Sequence, residues 1–217
     1  MRVILATLGI CALLALPAQG DVYLNEVLGS TTSTDTEFIE LYNSGPDPVD
    51  ITGWSIELWD SDAGDYFGLP DGGSPYIIDP ATLGVGGYYL LANPEFLNWY
   101  TEIPDQAIQA NAIENSSYTM ILKDAGLATI YSAFVTDGGD GDAANDAGTP
   151  ITPDLTFGPD GTYLPAGYYL IGDGGPTAGL LEFDPRPAPS ATPGYANIPE
   201  PASLLLLGLA GLLIRRR

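Results

Sequence analysis

Histidine is missing from all 217 residues, and that excludes more chemistry than any other feature of the sequence. Without imidazole there is no Ser-His-Asp or Cys-His couple, and no histidine ligand for a metal. Cysteine occurs once, at Cys11, so no internal disulfide can form and packing must hold the fold. Basic residues are scarce: six stand against 28 acidic ones, for a net charge of −22. Such a surface repels phosphate backbones, which excludes nucleic acid as a partner. It also attracts divalent cations and tolerates high salt, although plain solubility explains it equally well. Glycine-rich dinucleotide and phosphate-loop signatures are absent. Of the common hydrolytic sets only a pair of carboxylates remains, as glycosidases use.

What is present begins with two greasy ends. Arg2 supplies a charged start and Val3 to Leu16 an apolar run of 14 residues, short for a retained membrane anchor. Pro17 breaks the run, and Ala18-Gln19-Gly20 offers small residues to signal peptidase. Residues 1–20 therefore read as a signal peptide cut between Gly20 and Asp21. Ile10 before Cys11 is too bulky for a lipoprotein signal. At the other end, Ala202 to Ile214 is a run that is apolar but for Ser203, roughly 20 Å long as a helix at 1.5 Å per residue. A bilayer core is about 30 Å thick, and Arg215, Arg216 and Arg217 can snorkel to make up part of the gap. The arginines should stay cytoplasmic, leaving the preceding chain outside on a transient inner-membrane tether.

Residues 21–198 remain as one domain of ordinary size. Within them Lys123 and Arg186 face 27 acids, a balance of −25. Strand patterns dominate. Trp54, Ile56 and Leu58 alternate with Ser55, Glu57 and Trp59. Tyr118 to Lys123 and Leu127 to Phe134 flank Asp124-Ala125-Gly126 as a hairpin with glycine in the turn. Further strands are expected at Val22–Leu28, Glu37–Asn43, Tyr76–Ile78, Tyr88–Ala92 and Tyr168–Gly172. Glu37–Asn43 is apolar on both faces, as a central strand should be. Only Pro94–Tyr100 suggests a short helix. The fold class expected is all-β, a β-sandwich.

Acidic and aromatic clusters supply the candidate sites. Asp137, Asp140, Asp142, Asn145 and Asp146 could offer the six to eight oxygens that Ca²⁺ takes. Their spacing misses the calcium-loop pattern, so a solvated Gly/Asp loop is the competing reading. Asp60, Asp62 and Asp65 form a lesser cluster. Trp59, Tyr66 and Phe67 could form an outward platform for stacking sugars, or simply pack. Gly87-Tyr-Tyr-Leu-Leu91 recurs as Gly167-Tyr-Tyr-Leu-Ile171, which reads as two similar strands.

Two resemblances follow from motifs. Pro199-Glu200-Pro201, the apolar run and the closing arginines resemble the PEP-CTERM sorting signal of Gram-negative bacteria that make extracellular polysaccharide. That likeness implies an exosortase-like processing enzyme, cutting near Pro199-Glu200-Pro201. Asn25-Glu26, Glu37-Phe-Ile-Glu-Leu-Tyr-Asn43, Pro48-Val-Asp-Ile-Thr-Gly-Trp54, Gly86–Leu91 and the closing Thr192-Pro-Gly-Tyr-Ala-Asn197 resemble the lamin-tail domain. This likeness implies an immunoglobulin-like β-sandwich with no catalytic residues and no cofactor, in which residues 137–163 are an acidic loop insertion. Trp54 should fill the space between sheets. Asn25, Glu26, Glu37 and Glu40 should satisfy backbone donors at strand ends. The expected function is an exported, non-enzymatic surface or matrix module with extracellular polysaccharide as a possible ligand class. The alternatives are a carboxylate-dependent glycan hydrolase and a calcium-dependent adhesion module.

Overall fold

A computed structural model describes residues 22–29, 36–62, 74–114, 116–159, 167–181 and 191–197. Among them fifteen strands run in chain order: β1 (Val22–Leu28), β2 (Phe38–Asn43), β3 (Val49–Asp50), β4 (Ser55–Asp60), β5 (Tyr76–Ile77), β6 (Thr82–Leu83), β7 (Tyr88–Ala92), β8 (Gln106–Ala107), β9 (Tyr118–Lys123), β10 (Thr129–Val135), β11 (Asn145–Asp146), β12 (Thr149–Pro150), β13 (Leu155–Phe157), β14 (Gly167–Leu170) and β15 (Ala178–Leu181). They build an immunoglobulin-like sandwich. One sheet has the order β15-β14-β1-β2-β7-β8 and the other β13-β10-β9-β4-β5, with β11-β12 and β3-β6 as small ribbons. Neighbours are antiparallel except at the rims, where β8 follows β7 and β13 follows β10 in parallel.

Period-two alternation decides which side chains meet between the sheets. Val22, Leu24, Val27, Ile39, Leu41, Tyr89, Leu91, Tyr168 and Leu170 from the larger sheet join Ile56, Leu58, Met120, Leu122, Ala133 and Val135 from the smaller one. Trp54 lies in this core, as expected. No disulfide is needed, because burying each such side chain contributes about 1.5–3 kcal/mol.

β2 is buried on both faces. Ile39 and Leu41 face the core, while Phe38 packs outward with Leu28, Leu90, Ala92, Phe96 and Leu181 in a second apolar cluster. The lid over that cluster is a 3-10 helix, Pro94–Asn98, shorter than the expected Pro94–Tyr100. Asn93 caps it by accepting from Glu95 N, and Phe96 and Tyr100 stack at 4.6 Å between ring centroids.

The β9–β10 hairpin has Gly126 in its turn, as expected, with its left-handed residue at Leu127 (φ 67°). Asp124 imposes this by accepting from both Gly126 N and Ala128 N at 2.8 Å. The Gly-Tyr-Tyr echo is not a structural equivalence, because Tyr89 and Leu91 of β7 face the core where Tyr168 and Leu170 of β14 do. The matched positions thus point to opposite faces. The acidic stretch after β10 is not a free loop either: it forms the β11–β12 ribbon and supplies β13 as an edge strand.

Candidate functional site

A β-bulge in β1 creates the first site. The register of β1 on β2 shifts between Leu24 and Glu26, and the extra residue is Asn25. Asn25 and Glu26 therefore both reach polar partners outside the core, with Glu26 directly opposite Glu40. Asn25 Nδ2 donates to Glu40 Oε1 at 2.9 Å and to Asp173 Oδ1 at 3.1 Å, while Asn25 Oδ1 accepts from Gly174 N at 2.9 Å.

Onto this cluster the segment Ala191 to Asn197 is latched. Thr192 N donates to Glu26 Oε1 at 2.9 Å, Gly194 N to Glu40 Oε2, and Asn197 N to Asp173 Oδ1 at 3.0 Å. Tyr88 donates its hydroxyl to the other Asp173 oxygen at 3.0 Å. Gly172 N donates to Asn197 O at 2.9 Å, and Thr192 Oγ1 to Asn197 Oδ1 at 2.7 Å. Glu37 does the same work elsewhere, accepting from Ala112 N at 2.7 Å and Ile113 N at 3.1 Å. The expectation that these four side chains satisfy backbone donors describes the geometry well.

Electrostatics make the latch unusual. Glu26 and Glu40 are fully buried. Burial, reinforced by the Glu40 charge, pushes Glu26 up to about 8. Burial pushes Glu40 up to about 7 against the opposing pull of Gly194 N–H and the Asn25 amide. No cation relieves the pair among the described residues, since Lys123 is their one basic side chain and is bound to Glu57 at 2.7 Å and Asp146 at 3.1 Å. One carboxyl of the two therefore carries a proton near neutrality. The hydrogen bonds place it on Glu26. Both Glu40 oxygens receive N–H donors, whereas Glu26 Oε2 lies 3.3 Å from Thr192 Oγ1, whose single proton serves the shorter bond to Asn197. A raised carboxyl beside a second acid is the signature of a hydrolytic pair. Here both are covered by the latch and engaged with backbone amides, a holding role.

The second site is an acidic corner. Carboxylate oxygens of Asp62, Asp137 and Asp142 lie within 4.8 Å of one another. Asp62 follows β4 and accepts from Ser116 Oγ at 2.6 Å and Ser117 N at 3.1 Å. Asp142 accepts from Ser117 Oγ at 2.6 Å, and Asp137 from Gly139 N at 2.9 Å. Three clustered carboxylates are the donor set a hard divalent cation takes.

Of the five sequence-predicted ligands, only Asp137 and Asp142 meet here. Asp140 is exposed outside the group. Asn145 is fully buried and anchors the β11–β12 ribbon, donating to Asp60 O at 2.9 Å and Ser61 Oγ at 3.1 Å and accepting from Gly148 N at 3.0 Å. Asp146 turns to Lys123. Asp62 comes from the lesser acidic cluster, a pairing across about 75 residues that local spacing could not reveal. Asp65, Tyr66 and Phe67 lie outside the described residues, as do Gly20, Asp21, Pro199, Glu200, Pro201, Arg215, Arg216 and Arg217. Trp59 is half-buried. Among the described residues no helix is long and apolar enough to cross a membrane.

Comparison with known families bears on both ends of this arrangement. The PEP-CTERM protein-sorting motif matches residues 197–217, beginning at the last latched residue. That motif implies export from a Gram-negative bacterium, sorting to the cell surface and processing by an exosortase-like enzyme. No curated protein matches the sequence. The Lamin Tail Domain model matches residues 15–150, which include the bulge, Glu26, Glu40 and the acidic corner, and both families are of non-catalytic kinds. With well over half its length matched, the chain belongs to the lamin tail domain family.

Proposed function

We propose that this protein is a non-enzymatic binding or structural module of the cell surface or extracellular matrix. It is made as a precursor, cut by signal peptidase between Gly20 and Asp21 and tethered in the inner membrane by Ala202–Ile214. An exosortase-like enzyme then processes it near Pro199-Glu200-Pro201. Its ligand class is extracellular polysaccharide, which an uncharged or weakly charged sugar surface would satisfy without repulsion from so acidic a body. The observation that carries the non-catalytic reading is the latch: the two carboxyls with raised affinity for protons face backbone amides and are closed off from solvent. Mass spectrometry of the native protein should find Asp21 as the first residue and a C-terminus close to Pro199. An intact tail on the surface-located protein would count against processing. Binding of the mature protein to a panel of surface polysaccharides, without release of reducing sugar, tests the rest.

A second reading, a calcium-dependent adhesion module, is favoured by the Asp62, Asp137 and Asp142 group. The three carboxylates would hold the ion, which neutralises their mutual repulsion and ties the end of β4 to the loop after β10. Calcium should then raise the melting temperature relative to chelator, and Asp142→Asn should abolish the difference. Coincident melting curves would reject it.

A further inference from the structure

Seven large hydrophobic side chains stand exposed among the described residues, and four of them belong to two adjoining segments. Leu97 is 56% exposed, Trp99 45% and Ile103 83%, all in or just after the 3-10 helix, and Tyr195 of the latch is 62% exposed. The segments touch. Ala191 packs with the cluster that holds Phe96 and Tyr100, and a Cβ on Gly194 would lie 3.1 Å from Glu102 Cγ. The apolar rim thus lies where the chain leaves the folded body.

Tether length says what covers it. Four residues, and so five Cα-to-Cα steps, separate Asn197 from Ala202, a reach of about 17 Å when fully extended at ~3.3–3.6 Å per residue. The apolar run, roughly 20 Å as a helix, is shorter than the ~30 Å hydrocarbon core. With the arginines held at the cytoplasmic face, its outer end begins below the far headgroups. Crossing those headgroups, some 5–8 Å deep, consumes much of the remaining reach. The rim is then drawn onto the lipid surface.

We infer that the Leu97, Trp99, Ile103 and Tyr195 rim rests on the interface of the bilayer that holds the tail, against zwitterionic headgroups. Tryptophan and tyrosine favour that zone, and exposed leucine and isoleucine enter it readily. A sugar platform would gain nothing from the two aliphatic side chains. Glu95 and Glu102 stand beside the rim, so anionic lipid is disfavoured. This contact rests on the tether reading above and ends when the tail is cut.

The test uses the full chain carrying Cys11→Ser, reconstituted in phosphatidylcholine vesicles, with one environment-sensitive fluorophore at a time. Labels go on Ile103→Cys, on Leu127→Cys as an exposed control far along the chain, and on Leu207→Cys in the tail. The expected result is a blue shift at 103, quenched by headgroup-attached nitroxide, with no change at 127 and a lipid-buried signal at 207. Adding Leu97→Ser and Trp99→Ser, both at exposed positions, should weaken the shift at 103 while leaving 207 unchanged. A lipid-buried 207 with 103 behaving like 127 overturns the contact and leaves the tether standing. A watery signal at 207 overturns the tether reading, and the contact falls with it. A shift at 103 on adding soluble β-glucan without lipid assigns the face to carbohydrate and overturns the inference.

Discussion

Glu26 and Glu40 form a coupled pair in which the two residues should answer differently to the same substitution. Glu26 carries the proton and Glu40 accepts two N–H groups, so Glu26→Gln copies the working state and Glu40→Gln removes an acceptor. A carboxyl whose folded pKa is raised binds its proton more tightly in the native state. Its stabilising effect is complete below the unfolded value of 4.5 and is lost as pH climbs through about 7 and about 8. The melting temperature should therefore fall between pH 5 and pH 9. Glu26→Gln should flatten that fall and melt above the parent at pH 9, whereas Glu40→Gln should melt lower throughout. A parent curve that rises over this range would contradict the assignment.

Leu127 gives a simpler residue-scale test. It holds φ 67° in a tight turn and its side chain is exposed. The left-handed conformation costs an ordinary residue about 1–2 kcal/mol, and glycine gives back part of that through its own flexibility. Leu127→Gly should stabilise the protein by about 0.5–1 kcal/mol, read from denaturant midpoints at unchanged slope.

At the scale of elements, β1 and the Ala191–Asn197 latch depend on one amide. Asn25 alone bridges Glu40, Asp173 and Gly174 N. Asn25→Ala would leave buried acceptors and a donor without it, at about 1–3 kcal/mol for each unsatisfied group. Hydrogen exchange at the amides of Thr192, Gly194 and Asn197 should speed up far more than in β9, at the centre of the other sheet. Uniform acceleration would mean the latch is not a separate unit.

Much of this architecture was legible because β1, β2, β4, β7, β9 and β10 are apolar-rich runs, each five to seven residues long, with clear alternation in β4. The two-residue strands β3, β6, β8, β11 and β12 carry too few positions to show a period, whereas β5 was expected as part of Tyr76–Ile78. Glu26 and Glu40 were readable as backbone acceptors, yet the bulge that turns Asn25 toward them leaves no mark on hydrophobic spacing. At the acidic corner, composition pointed to Asp137 and Asp142. It could not separate them from Asn145 and Asp146, whose neighbours Ser61, just after β4, and Lys123, in β9, are distant in the chain.

Taken whole, the molecule is governed by unbalanced charge: two bases against 27 acids between residues 21 and 198. Self-repulsion of that size opposes compaction. Raising ionic strength from about 0.1 M to about 1 M shortens the screening length from ~10 Å to ~3 Å. Sodium chloride should therefore raise the melting temperature steadily over that range, independently of any effect of calcium. A flat response would show that repulsion is already relieved locally.

The pairing of Asn197 with Asn25 spans 172 residues, so the first strand finds its final partners in the last portion to be threaded outward. A chain that crosses the membrane from its beginning must wait, half-assembled, with the polar side chains of β1 still wet. Closure comes only when Thr192 to Asn197 have emerged, with Ile198 alone between them and Pro199-Glu200-Pro201. Order of emergence thus ties completion of the body to arrival of the sorting motif, a timing written into the topology itself.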